Sequence, residues 1–230
     1  MAALNQLLSA FLAVVFLLIS PPALACDGGD RAALLKIKAS FLSPSSFFSS
    51  WNESASCCTW QGVYCTFNSN RVNAISFYNN GGPADGLVGR LPDALGHLPF
   101  LSTLLIANHP GVYGRLPSTL TRLRSLSILS LSRNSLSGAI PSFLSQIPSL
   151  TLLDLANNKF SGCIPPELSS LLILQSLILE NNRLEGGVPA SFGNFSKSSP
   201  PNLFLAHNKL SGDIPAELGV PDSVNLDLSH

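Results

Sequence analysis

The chain has 230 residues, a formal net charge of zero, and 11% charged against 46% hydrophobic residues. It contains no tract of lysine and arginine, so its composition argues against nucleic acid as a partner. The motifs of serine hydrolases, zinc proteases and P-loop proteins are absent, and the four histidines share no spacing. We therefore expect neither enzymatic activity nor a cofactor.

Residues 1–25 are predicted to be a signal peptide. An uncharged, mostly apolar run from Leu7 to Ile19 precedes the small-residue sequence Ala23-Leu24-Ala25, which predicts cleavage before Cys26. The run is too short to span a bilayer well, and no later segment is both long and apolar enough to do so. We expect a secreted mature chain without a transmembrane segment.

Residues 26–70 are predicted to form an N-terminal cap. Its segment from Arg31 to Leu42 has the pattern of an amphipathic helix, with Asp30 as the N-cap and Ser43-Pro44 as the stop signal. The cap would cover the exposed end of the repeats that follow, as solenoids require for solubility. Large aromatic residues are usually buried, so its two tryptophans are expected in the cap core.

Clustered cysteines in an exported chain indicate disulfide bonds, and the cap holds Cys26, Cys57, Cys58 and Cys65. The adjacent Cys57 and Cys58 are not expected to bond each other. Two pairings remain: Cys26–Cys57 with Cys58–Cys65, which we favour, and Cys26–Cys58 with Cys57–Cys65. The spacing lacks the paired C-x-x-C of zinc sites, so no metal is expected. The fifth cysteine, Cys163, is predicted to be an unpaired thiol without a catalytic role.

Residues 71–225 are predicted to contain six repeats. The pattern L-x-x-L-x-L-x-x-N-x-L-x-G-x-I-P starts at Leu126 and restarts at Leu150 and Leu174. Such a period predicts a solenoid, in which each short strand buries its leucines against neighbouring repeats. The fold class is therefore an α/β solenoid, a right-handed superhelix with a parallel concave sheet and a disulfide-bonded helical cap.

Each regular repeat carries one asparagine where its strand ends. A buried amide there would bond backbone groups that the turn leaves unpaired, so we predict a structural ladder of Asn134, Asn158, Asn182 and Asn208. In the second repeat we place Pro110 at the ladder position, with one extra residue in the repeat. A seventh repeat begins within 226–230, which predicts a C-terminally truncated array.

The binding surface is expected on the concave face, at the outward residues of the strands. There the apolar Leu152, Ile178 and Phe204 lie among polar groups, an arrangement typical of protein-binding patches. The neighbouring acids Asp154 and Glu180 lack the enclosure that acid–base catalysis requires. Two N-glycosylation sequons begin at Asn52 and Asn194, in the cap and on a return segment, away from this face.

The repeat is of the plant extracellular leucine-rich type, and the cap motif C-C-T-W-Q-G-V-Y-C at 57–65 resembles the cap of that class. Within this class the chain most resembles the polygalacturonase-inhibiting proteins. The segments that carry this resemblance are 71–73, 137–147 and 191–196. Receptor-like proteins and receptor-kinase ectodomains share the repeat itself.

This resemblance implies a secreted cell-wall defence protein that binds microbial endopolygalacturonases, chiefly fungal ones, through its concave face and limits pectin degradation. It also suggests cell-wall pectin as a partner. Carried over by strand position, the contacts would be Ser130, Arg133, Asp154, Asn157, Ile178, Glu180, Phe204 and His207. The alternatives are a receptor-like module that recognises a peptide or another ectodomain, and an inactive truncated paralogue.

Overall fold

The computed structural model describes residues 26–42, 47–81, 86–195 and 200–218, together with the backbone of 226–227. The predicted signal peptide lies outside these residues, as does Ser196 of the second sequon. Within the described residues the fold is a stack of repeated strand-turn units, as the repeat pattern predicted. The strands of these units form two sheets, and within each sheet the strands of the repeats run parallel.

The first sheet has eight strands and contains the leucine pairs of the repeat pattern. Its spatial order is β15-β13-β11-β9-β7-β5-β3-β2, and β2 of the cap is its one antiparallel member. The strands are β2 (Val63–Cys65), β3 (Val72–Tyr78), β5 (Thr103–Ala107), β7 (Ile128–Ser130), β9 (Leu152–Asp154), β11 (Ser176–Ile178), β13 (Asn202–Phe204) and β15 (Leu226–Asp227). We call its outward side the concave face.

A second sheet of seven strands, which the sequence did not predict, follows the ladder positions. Its order is β1-β4-β6-β8-β10-β12-β14, with β1 antiparallel to β4. The strands are β1 (Phe41–Leu42), β4 (Val88–Arg90), β6 (His109–Gly114), β8 (Asn134–Gly138), β10 (Lys159–Gly162), β12 (Arg183–Gly186) and β14 (Lys209–Leu210). Gly138 has a φ of 88° there, a conformation that side chains disfavour, which explains the glycine of the motif.

Short 3₁₀ helices return the chain from the second sheet to the first. In the third repeat, which begins at Leu126, a 3₁₀ helix spans Ser142–Gln146. The others are Cys57–Thr59 in the cap and Asp93–His97, Ser118–Arg122, Pro166–Ser170, Ala190–Asn194 and Ala216–Leu218 in the repeats.

The leucines of successive repeats form one continuous core between the sheets. Leu129 and Leu131 of the third repeat are fully buried, as are their counterparts Leu153 and Leu155 in the fourth. Each contributes about 1.5–3 kcal/mol on burial. No single repeat could cover these side chains alone, so the stack supplies the stability.

The asparagine ladder satisfies backbone groups of two repeats at once. The Asn158 amide nitrogen donates to the carbonyl oxygens of Leu131 and Leu155 at 2.9 and 3.1 Å. Its side-chain oxygen accepts a hydrogen bond from the Leu136 N–H at 3.0 Å. Asn134, Asn182 and Asn208 make equivalent bonds.

In the second repeat the predicted ladder position was wrong. His109, and not Pro110, occupies it. His109 is fully buried and pairs in register with Asn134. The extra residue of this repeat follows the ladder position, where the β6 register shifts between His109 and Tyr113. Pro110 is exposed.

The cap helix α1 (Gly28–Ala39) begins and ends three residues before the predicted helix. Its N-cap is Asp27, whose side chain accepts hydrogen bonds from the N–H groups of Gly29 and Asp30. Asp30 lies inside the helix and is buried, and its carboxylate accepts from the Arg71 guanidinium at 2.8 and 2.9 Å. The predicted last residues of the helix, 41–42, form β1 instead.

Aromatic packing joins this cap to the first repeat. Trp51 and Trp60 are buried, as expected, and stack with ring centroids 4.9 Å apart. Phe77 of β3 packs against Trp51 at 5.8 Å. Two disulfide bonds, Cys26–Cys57 and Cys58–Cys65, hold the cap together, which is the first of the two pairings given above.

Candidate protein-binding face

The side chains of the concave face form rows that run across the strands, because the parallel strands pair in register. One row, here row one, passes from the cap strand to the sixth repeat. Its members are Tyr64, Ala74, Thr103, Ile128, Leu152, Ser176 and Asn202. Row two lies two residues further along each repeat strand and contains Ser76, Leu105, Ser130, Asp154, Ile178 and Phe204.

The structure brings the predicted contact residues to this one face. Arg133 and His207 are exposed, whereas Asp154, Asn157, Ile178, Glu180 and Phe204 are partly exposed. Ile178 pairs with both Asp154 and Phe204, so apolar and acidic side chains lie next to each other in row two. Such a mixture of apolar and polar groups suits protein recognition.

Ser130 is the exception among the predicted contacts, because it is only 7% exposed and offers little surface to a partner. Its hydroxyl donates to the Asp154 carboxylate at 2.8 Å. The other Asp154 oxygen accepts from the Ala156 N–H at 3.1 Å. Ser130 therefore positions the neighbouring carboxylate and is not itself placed to contact a partner.

The residue just before each ladder position has a left-handed backbone. The φ angles there are 62° at Asn108, 56° at Arg133, 55° at Asn157, 55° at Asn181 and 55° at His207. Asparagine tolerates this conformation, and histidine is also enriched in it, whereas arginine has no such preference. Arg133 therefore occupies a position at which the fold favours asparagine.

Sequence reasoning missed the part of the face nearest the cap. Tyr64 is 57% exposed and Tyr78 is 49% exposed, and both side chains lie on the concave side of the sheet. The alternation of β3, in which Ile75 and Phe77 point inward, was sufficient to find Tyr78. No repeat pattern marks β2, so nothing in the sequence located Tyr64.

Other chemical features of the described residues are structural. The sulfur atoms of Cys26, Cys57 and Cys58 form the one close group of potential metal ligands found there, and disulfide bonds occupy all three. Cys163 is exposed and unpaired at the end of β10. None of the helices described is long and apolar enough to cross a membrane.

Both predicted sequon asparagines lie away from the eight-stranded sheet. Asn52 is exposed, and its side-chain oxygen accepts hydrogen bonds from the Ser54 hydroxyl at 2.8 Å and the Ala55 N–H at 2.9 Å. Asn194 is exposed at the end of its 3₁₀ helix.

Comparison with known proteins places this architecture in a family. A family model for the leucine-rich repeat N-terminal domain matches residues 27–66, and the leucine-rich repeat model matches 125–147, 149–171 and 174–195. The crystal structure of the BIR2 ectodomain from Arabidopsis thaliana is 30% identical, with a TM-score of 0.69. The alignment covers 82% of this chain and 96% of that one. The chain belongs to the leucine-rich repeat family.

Two further matches show which leucine-rich repeat proteins this chain resembles. It is 39% identical over 129 residues to a polygalacturonase inhibitor from Vitis vinifera, which confirms the resemblance inferred from the sequence. That alignment covers 55% of the chain but only 37% of the inhibitor. The crystal structure of a plant ice-binding protein is 39% identical with a TM-score of 0.78, over 84% of this chain and 60% of that one.

Proposed function

We propose that this leucine-rich repeat protein binds microbial endopolygalacturonases through its concave face and inhibits them, limiting pectin degradation in plant defence. The observation that carries the proposal is the row of Asp154, Ile178 and Phe204 on adjacent strands, together with the similarity to a polygalacturonase inhibitor. Inhibition would follow if the bound enzyme's substrate cleft faced the sheet.

The dimensions of the face fit a protein partner. Seven strands from β2 to β13 at about 4.8 Å spacing give a surface about 29 Å wide. A standard interface buries about 800 Å² on each partner, which a sheet of this width can supply with its rims. The face is open, so it suits a large partner better than a small molecule, which needs an enclosed pocket.

The proposed location is extracellular, at the plant cell wall. Two disulfide bonds in the cap require an oxidising compartment, and the predicted signal peptide would supply export. The two exposed sequon asparagines fit the same route. Cell-wall pectin is proposed as a second partner on family resemblance alone.

The test is the rate of reducing-end release from polygalacturonan by several fungal endopolygalacturonases, with and without the folded protein. We expect slower release with at least one enzyme. Unchanged rates across the panel would remove the inhibitor proposal and favour the inactive paralogue.

Two glutamates of one repeat provide a matched pair of variants. Glu180 lies on the concave face, and Glu185 is exposed on the second sheet. For a basic partner, Glu180→Lys should weaken inhibition more at low salt than at high salt, because salt screens exposed charges. Glu185→Lys should leave it unchanged, and equal losses in both variants would argue against the concave face.

A receptor-like recognition module is the second candidate, because the chain covers nearly the whole BIR2 ectodomain chain. Such a module would bind a peptide or another ectodomain through the same face. Binding of a secreted plant peptide or ectodomain, with no effect on any endopolygalacturonase, would favour this candidate.

A further inference from the structure

The concave face is divided into two chemically different halves, and the half nearest the cap has no charged side chain in either row. Row one begins there with Tyr64, Ala74, Thr103 and Ile128, and row two begins with Ser76 and Leu105. The charged groups of these rows begin at Asp154, in the fourth repeat.

The cap itself contributes to this half, because β2 is a strand of the same sheet. Val63 pairs with the inward-facing Ile75 and is buried, so the next residue, Tyr64, must point to the concave side. Ala74 lies beside Tyr64 and is small, and Thr103 is the next member of the row.

Row one then continues as a line of methyl groups. Thr103, Ile128 and Leu152 are partly exposed on three adjacent strands. From Tyr64 to Leu152 the row crosses four strand intervals, or about 19 Å. An extended segment of about six residues would cover this distance.

A fixed carboxylate marks the end of the apolar row. Asp154 is on the same strand as Leu152 and the same face, two residues further along. The Ser130 hydroxyl and the Ala156 N–H hold its two oxygens in place. A carboxylate can accept about four hydrogen bonds, so capacity remains for a lysine or arginine of a partner.

We propose that the N-terminal half of the concave face, including Tyr64 of the cap, docks an extended protein segment that carries apolar side chains and one lysine or arginine at one end. The apolar side chains lie along row one from Tyr64 to Leu152, and the basic group pairs with Asp154. This inference rests on the proposed concave-face function and names the chemistry of the partner segment.

The test measures the affinity of folded variants for an endopolygalacturonase that the wild-type protein inhibits. Tyr64→Ala and Ile128→Ser should each weaken binding about tenfold, as removal of a central apolar contact does. The controls lie outside the sheet: Phe67→Ala and Leu172→Ser remove side chains that are 92% and 63% exposed. They should change the affinity less than about twofold.

The outcomes separate this inference from the proposed function. If Glu180→Lys weakens binding while Tyr64→Ala and Ile128→Ser bind as the wild type does, the docking site is wrong and the inhibitor proposal stands. If no enzyme binds the wild-type protein, the inhibitor proposal fails and a random peptide library displayed on phage decides the docking site.

In that case, enrichment of apolar sequences with a basic residue at one end would support the docking site, provided that Tyr64→Ala and Ile128→Ser weaken their binding. Absence of enrichment, or binding that is insensitive to both variants, would overturn it.

Discussion

In the third to sixth repeats an asparagine follows each strand of the first sheet, whereas His109 occupies the same position in the second repeat. Both side chains satisfy buried backbone groups. The His109 Nδ1 accepts from the Leu87 N–H at 3.0 Å, so Nε2 must carry the proton that is donated to the Phe77 carbonyl at 3.1 Å. The asparagines do not titrate, but the histidine does. The stabilisation that His109 provides should therefore depend on pH, whereas that of the asparagines should not.

The regular ladder should show the largest effect. Asn158→Ala leaves the buried Leu136 N–H without its side-chain acceptor. The carbonyl groups of Leu131, Leu155 and Ala156 lose one donor each but keep another, from Asn134, Asn182 and the Arg133 N–H. An unsatisfied buried group costs about 1–3 kcal/mol and each lost hydrogen bond about 1 kcal/mol, so we expect a loss of about 3 kcal/mol in the free energy of unfolding.

Urea denaturation measures this loss. The control is Lys159→Ala at the exposed neighbouring residue, which should stay within about 0.5 kcal/mol of the wild type. A similar stability for Asn158→Ala would contradict the ladder's structural role.

The histidine should contribute less, and its contribution should depend on pH. His109→Phe keeps a ring in the site but removes both hydrogen bonds, with an expected loss of about 2 kcal/mol at pH 7.5. Burial lowers the pKa of His109 below its ordinary value, and the bond to the Phe77 carbonyl opposes this effect only partly.

Because the folded-state pKa is the lower one, the unfolded chain binds the proton first as the pH falls. The stabilisation is therefore full above the unfolded pKa of about 6.5 and is lost as the pH falls towards the folded pKa. Between pH 7 and pH 5 the wild type should approach His109→Phe in stability, by at most about 1.4 kcal/mol per pH unit. Parallel stability curves for the two proteins would show that His109 does not titrate in this way.

Substitution at a left-handed position should change the free energy of unfolding least, and it should raise this free energy where the two preceding variants lower it. Arg133→Asn should raise the free energy of unfolding by about 1 kcal/mol, because asparagine tolerates its φ of 56°. The same variant should weaken binding to the enzyme, since it removes the exposed guanidinium.

Arg133→Ala is the matched variant, because it removes the guanidinium but keeps a strained backbone. Thermal unfolding should therefore separate the two variants, with Asn the more stable. If both variants have the same Tm, Arg133 is not strained by its conformation.

The regular repeats were predictable because their period is strict. Leu129, Leu131 and Asn134 recur every 24 residues, and one buried face repeats with them. His109 has the same spacing from Leu101 as Asn134 has from Leu126, but a histidine does not match the asparagine of the repeat motif. The second sheet was missed because its strands are short and alternate too few times to show a period.

The candidate face was predictable only where this period holds. Asp154, Ile178 and Phe204 followed from alternation along their strands. Tyr64 did not, because β2 is an antiparallel cap strand outside the repeat. Ser130 is buried and bonds to Asp154, 24 residues away, and no local pattern reveals that contact.

The chain's three tyrosines provide the most direct test of the concave face as the binding surface. Tyr64 and Tyr78 lie on that face, and Tyr113 is 46% exposed on the second sheet. Hydroxyl-radical labelling, read by mass spectrometry with and without an inhibited endopolygalacturonase, reports each ring separately. If the concave face binds the enzyme, we expect several-fold slower labelling of Tyr64 and Tyr78 in the complex and an unchanged rate at Tyr113. Protection of Tyr113 with continued labelling of Tyr64 and Tyr78 would contradict it.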